Sequence, residues 1–328
     1  MAPAGATIAA PLPANPIPAT DVPVPAADGP ASPPPAAADA TGITTHRDQP
    51  YAQTASGQPH HARQRFDLYL PAGCNAGGMP LVVWIHGDAW SDGSKADCQV
   101  KWLANEGYAV ASIGYRLSDT AVFPAQLDDC RAAIVEIERN ADVWGIDRDR
   151  VAVVGSGAGG HLAALVGLTS PTAAARAATT DQAGDTTLAG DTTLPRIAAI
   201  CAVAAPTSLT TLGPEQDRAG SPASRLVGGP LPEFREAAQR ASPVAHVSAD
   251  DPPVLILHGA ADSTVPPTQA VEFATRLKAA NVDTSLVVLS NVGHRQGLDL
   301  GTPGGQALLA FLDRVLGPGI RPHRDPPR

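Results

Sequence analysis

The chain has 328 residues and a formal net charge of −9, with Asp and Glu outnumbering Lys and Arg 32 to 23. That balance, with no basic block, sets nucleic-acid binding aside, and no apolar run reaches the roughly 18 residues of a membrane span. The four cysteines, Cys74, Cys98, Cys130 and Cys201, are scattered and form no CxxC pair, so they read as buried or idle thiols rather than a disulfide framework.

Residues 1–41 are almost entirely Ala and Pro with a few small polar residues. Such a composition buries too little to fold and predicts an extended tail. It lacks the basic start and apolar core of a signal peptide. As a linker behind a start lying upstream it would point to export.

A folded region is expected from residue 42 to residue 316. Gln64–Leu70 alternates polar and apolar residues, as a half-buried strand does. Leu81–His86 and Tyr108–Gly114 read as apolar strands, and Pro124–Asn140 as a helix with Leu127, Cys130, Ile134 and Ile137 on one face. Val151–Val154 is a β-branched run ending in glycine, the mark of a central parallel strand, and a packed helix follows through His161 and Leu165. Ile197–Ala204, Pro253–His258 and Ser285–Leu289 complete the strands. Helices with Ala270, Phe273 and Leu277 and with Leu308, Phe311, Leu312 and Val315 in register lie between and after the last of these. Strands alternating with helices predict one α/β domain with a mostly parallel sheet. Residues 169–195 hold a tandem GDTTLA/GDTTLP and read as a surface insertion. Residues 207–247, rich in Gly and Pro with a short helix near Glu233–Arg240, are a candidate cap. The tail 317–328 is Pro/Arg-rich and reads as loose.

The turn after Val154 is Gly155-Ser156-Gly157-Ala158-Gly159-Gly160. It matches a dinucleotide loop, G-x-G-x-x-G, letter for letter. It also matches a nucleophile elbow, G-x-S-x-G, with Gly157 at the serine position. The nucleotide pattern should open the first βαβ unit and be followed by an acid at the next strand end. Here the turn lies mid-domain, and Asp181 falls in a Thr/Ala/Gly-rich stretch.

Ligands of open parallel sheets bind beyond the carboxyl ends of the strands. Those ends carry His86-Gly87-Asp88-Ala89-Trp90, the glycine turn, His258-Gly259-Ala260-Ala261-Asp262, and Ser290-Asn291-Val292-Gly293-His294. The order turn, Asp, His is that of a hydrolase triad.

On these motifs the chain resembles the α/β-hydrolase esterase and lipase group, and within it bacterial feruloyl-esterase-like and acetyl-esterase-like proteins. The resemblance runs from about Tyr51 to Leu316. Its members read HGGxW-x-x-G where this chain has His86-Gly-Asp-Ala-Trp-Ser-Asp-Gly93, and G-D-S-A-G-G-H-L where it has Gly155-Ser-Gly-Ala-Gly-Gly-His-Leu162. Their GYRLS-type and FPAQ-x-x-D-type stretches are kept as Gly114–Ser118 and Phe123–Asp129. The resemblance implies an α/β-hydrolase fold with helices on both faces of the sheet and an ester or acyl small molecule as ligand. Asp262 is then the orienting acid and His294 the general base. The oxyanion donors are the N–H of Ala158 and one near Gly87 and Asp88. Trp90 reads as a residue of the pocket wall, the alternative being that it simply packs. No cofactor is implied, and no His/Cys/carboxylate cluster has metal spacing.

Two departures bear on activity. Gly157 offers no oxygen for His294 to activate, a loss worth roughly 10⁶-fold in a serine protease. Asp88 sets a carboxylate where negative charge develops. The leading reading is therefore an esterase-like protein with impaired catalysis and a retained pocket. The alternative is an active ester hydrolase that uses Ser156, one residue early in the turn, or a water activated by His294. His86 and His161 read as structural, with Tyr115 and Arg116 bracing the loops.

Overall fold

The computed structural model describes residues 42–52, 61–71, 78–170 and 196–319. The N-terminal tail 1–41, Cys74, the tandem repeat with most of the 169–195 insertion, and residues 320–328 lie outside the described residues. Within them, one eight-stranded sheet has the order β1-β2-β4-β3-β5-β6-β7-β8. The strands are β1 Ile43–Pro50, β2 Arg65–Pro71, β3 Met79–Ile85, β4 Ala109–Ile113, β5 Ile146–Ser156, β6 Ala199–Val203, β7 Val254–Gly259 and β8 Thr284–Leu289. The β1–β2 and β2–β4 pairs are antiparallel, and all later pairs are parallel. Central strands β3, β4, β6 and β7 are buried at every residue, which explains their unbroken apolar sequences. The edge strand β8 is only partly buried.

The helices are α1 Ala125–Arg139, α2 Ala141–Trp144, α3 Ala158–Leu168, α4 Pro222–Val227, α5 Arg235–Arg240, α6 Thr268–Ala279 and α7 Pro303–Leu316. One face of the sheet packs on α1, α3 and α6. The other packs on residues 100–108 and α7. Every residue of α3 is buried, so its apolar sequence carries no polar stripe. Among the described residues no helix is long and apolar enough to cross a membrane.

The parallel register aligns Ile85 with Gly155, Gly155 with Ala202, and Ala202 with Ile256. The loops after β3, β5 and β7 therefore leave the sheet at one level. The 207–247 segment holds α4 and α5 and is tied down by polar contacts. Thr207 and Ser208 donate their backbone N–H groups to Gln269 Oε1, each at 2.8 Å.

Candidate active site

The turn between β5 and α3 is held by close backbone packing. An added Cβ at Gly159 would lie 2.0 Å from the Ile85 carbonyl oxygen, and one at Gly155 would lie 2.3 Å from the Gly159 carbonyl. These glycines let α3 start directly against two strands. Gly157 differs. Its backbone is at φ +55°, ψ −118°, a region that side-chain-bearing residues rarely occupy. Apart from its two chain neighbours, the only heavy atoms of the described residues within 4 Å of an added Cβ belong to His294, with Nε2 at 3.3 Å and Cε1 at 3.6 Å.

His294 arrives on the loop after β8. Gly259, at the end of β7, lets that loop come close, since a Cβ there would lie 2.3 Å from the Val292 carbonyl oxygen. His294 Nδ1 is 2.8 Å from Asp262 Oδ2. A carboxylate at that nitrogen keeps the proton on Nδ1 and leaves the Nε2 lone pair facing Gly157. Asp262 Oδ1 accepts the N–H groups of Thr264 and Val265, both at 2.9 Å. The acid side chain is fully buried and the imidazole 28% exposed. Sequence reasoning had named Gly157, Asp262 and His294, and the fold brings the three together.

It missed His258. That ring is fully buried, with Nε2 2.9 Å from the Val265 carbonyl oxygen and 3.3 Å from Asp262 Oδ2. His258 thus approaches the same carboxylate oxygen as His294. Its place four residues before Asp262 was the available signal.

Ser156 ends β5 half-buried. Its hydroxyl makes no hydrogen bond to His294 or any other group among the described residues. Ser156, Gly157, His294, Gly87 and Asp88 line one cavity of about 790 Å³, with Cys98, Thr264, Arg295, Gln296 and Asp299 farther along its wall. No residue of the 207–247 segment is among those lining it. Asp88 lies at φ +65°, and its carboxylate is 3.6 Å from the exposed Arg295 guanidinium. Arg295 is a counter-charge that the sequence reading did not weigh.

Trp90 corrects an expectation. It is only 3% exposed and does not line the cavity. Its indole N–H donates to His161 Nδ1 at 3.2 Å, and the rings meet edge to face at 5.0 Å. Asp88, Ala89 and Trp90 all have positive φ, and this left-handed run turns the indole inward. His161 Nε2 in turn contacts the Ala241 carbonyl oxygen at 2.6 Å. Burial lowers its pKa to about 4, so it is neutral, and it is structural as expected. His86 stacks on Tyr115 at 4.3 Å, and burial lowers its pKa to about 4 as well. The Tyr115 hydroxyl donates to the His86 carbonyl oxygen at 3.0 Å, bracing the loop after β3. Cys98, Cys130 and Cys201 are free thiols.

A parallel sheet flanked by helices, with an acid and an imidazole on successive strand ends facing the β5–α3 turn, defines an α/β-hydrolase of the esterase kind. The BD-FAE family profile matches residues 66–277, and the chain belongs to that family. Esterase LipC of Mycobacterium tuberculosis is 30% identical over 72% of this chain and 58% of its own length. The probable carboxylic ester hydrolase LipM of the same organism is 30% identical over 62% of this chain and 46% of its own. The chain thus spans about half the length of these curated relatives. A solved structure of a truncated form of carbohydrate esterase from gut microbiota is 25% identical, with a TM-score of 0.72 over 86% of this chain and 99% of that one.

Proposed function

We propose that this chain binds an ester or acyl small molecule in the cavity beside His294, and that it has lost acyl-enzyme chemistry. The observation that carries the reading is Gly157. His294 Nε2 faces this residue, where a family esterase would present its serine. The Asp262–His294 pair is otherwise complete, with both carboxylate oxygens occupied. Gly87, Asp88 and Ala158 supply the candidate oxyanion amides. The esterase names of its relatives support an ester-like ligand and leave its identity open.

The intact pair also supports a second reading, slow hydrolysis by a water that His294 deprotonates. Hydrolases stripped of their triad retain about 10³-fold catalysis over water from the oxyanion hole and binding alone. Ser156 as nucleophile has less support, since its hydroxyl is not bonded to the imidazole.

The test compares the full chain, His294→Ala and Gly157→Ser on short-chain p-nitrophenyl esters. The unaltered chain is expected near the His294→Ala rate, and Gly157→Ser above it by at least about 10³-fold. An esterase-directed phosphonate should label Gly157→Ser at position 157 and leave the unaltered chain unlabelled. Fast turnover by the unaltered chain, or label on Ser156, overturns the proposal.

A further inference from the structure

The glycines of the turn divide into two kinds. Cβ atoms at Gly155 and Gly159 would collide with backbone at 2.3 and 2.0 Å. At Gly157 the nearest atoms are only the imidazole edge at 3.3 and 3.6 Å, and beyond it lies the cavity. Serine differs from glycine by a CH₂OH group, and that group as a free molecule is methanol. A covalent Cβ at 3.3 Å would force the ring back by a few tenths of an ångström, whereas an untethered methyl group can settle into the same space unaided. The N–H groups of Ala158 and Asp88 donate to no acceptor among the described residues, so both remain available to a carbonyl oxygen of the ester.

We infer that this space takes a small primary alcohol, and that the chain transfers an acyl group from an ester to that alcohol by single displacement. The inference rests on the reading of Gly157 given above. The alcohol oxygen sits against His294 Nε2 with its carbon over Gly157. Nε2 removes the hydroxyl proton as the oxygen attacks the ester carbonyl carbon, and a new C–O bond forms. The C–O bond to the original alcohol then breaks, and the departing oxygen takes the proton from Nε2. One ester and one alcohol enter, one ester and one alcohol leave, and nothing is oxidised or reduced. No acyl-enzyme forms, so ester and alcohol must be bound together. Branching at the carbinol carbon would crowd further methyl groups against the imidazole edge, already 3.3 and 3.6 Å from that carbon's place, which favours the smallest primary alcohols.

The test uses the full chain with p-nitrophenyl butyrate and methanol, ethanol or tert-butanol at equal concentrations. Nitrophenol is followed by absorbance and the new ester by gas chromatography. With this substrate nitrophenolate leaves unprotonated and the imidazolium returns its proton to solvent. Methanol should raise release several-fold with saturation, yield methyl butyrate in step with nitrophenol, and give intersecting double-reciprocal lines. Ethanol should act more weakly and tert-butanol not at all. His294→Ala should abolish the response, as should Gly157→Ala, whose fold is checked by circular dichroism. Indifference to methanol, or the same response in His294→Ala, overturns the inference. The alcohol-free arm and phosphonate labelling report on the parent reading separately. A chain silent in both, with no methanol response, sinks only the alcohol site. A chain labelled at Ser156 and giving parallel lines sinks both.

Discussion

Gly157 sits at φ +55°, ψ −118°, and any side chain there carries strain of about 1–3 kcal/mol. Gly157→Ser should therefore gain turnover and lose melting temperature together, the second read by calorimetry. Asp88 is the next residue to test. Its side chain lines the cavity, and Arg295 at 3.6 Å offsets part of the charge. A like charge about 4 Å from a developing oxyanion in a wet site would cost about 1 kcal/mol, so adding Asp88→Gly to Gly157→Ser should raise kcat up to about fivefold. No gain would mean that Arg295 already neutralises the carboxylate. At this scale Asp262, His294 and Gly157 were legible as neighbours, because each stands within a few residues of a strand end on one edge of the sheet. Spacing left Trp90 between pocket wall and packing, because three successive left-handed residues turn its side chain inward and spacing carries no record of that. His258 and Arg295 act through space on Asp262 and Asp88, and no linear pattern encodes such pairings.

Between elements, the stretches 114–118 and 123–129 have a structural explanation. Asp129, at the second turn of α1, accepts the Arg116 backbone N–H at 2.9 Å and its guanidinium at 2.8 Å, and it also accepts Gln64 Nε2 at 2.9 Å. One buried carboxylate thus ties the loop after β4 to α1 and to the start of β2. Asp129→Ala leaves Gln64 Nε2 without its partner and Arg116 with only the Ala125 carbonyl oxygen at 3.4 Å, and with the guanidinium 31% exposed it should cost about 2–3 kcal/mol in urea unfolding. Gln269 on α6 does similar work for the 207–247 segment. Gln269→Ala strands two buried amides, with an expected loss of about 2–4 kcal/mol. A loss under 1 kcal/mol would show that water replaces the side chain. Element positions were legible to within a residue or two for β2, β6, β7 and α1. β5 was not, since it begins at Ile146 rather than Val151. Its first half joins β3 through a shifted register at Met79 and Ile146, and the charged residues between gave no apolar run to read.

For the molecule as a whole, acid is the informative variable. Burial holds His86 and His161 at pKa values of about 4, whereas the unfolded imidazole titrates near 6.5. Between these values the unfolded chain binds more protons. Stability is thus complete above about pH 6.5 and falls as pH drops towards 4, by on the order of 3 kcal/mol for each ring. Asp251, raised to about 6 mainly by burial, acts in the opposite sense over part of this window. Glu136 is also raised by burial, and His46 and His246 are also lowered by it; four rings against two carboxylates still predict a falling melting temperature. His161→Gln should start lower at neutral pH and decline less steeply, and an equal slope would acquit this ring. His161 links Trp90 to Ala241, so the same protonation also loosens the loop after β3 from the 207–247 segment. The alternation of strands and helices made the fold class readable throughout. What it left out was which loops touch, a property of the folded surface alone.

The open side of Gly157 also has a genetic consequence. Gly155 and Gly159 cannot change without moving backbone, but this position meets only the edge of one ring. Where its codon is GGU or GGC, one base change yields serine on a scaffold that already holds the acid, the imidazole and the sharp bend. Gaining the serine is then a short evolutionary path, and a selection for growth on an ester should recover it repeatedly at this codon.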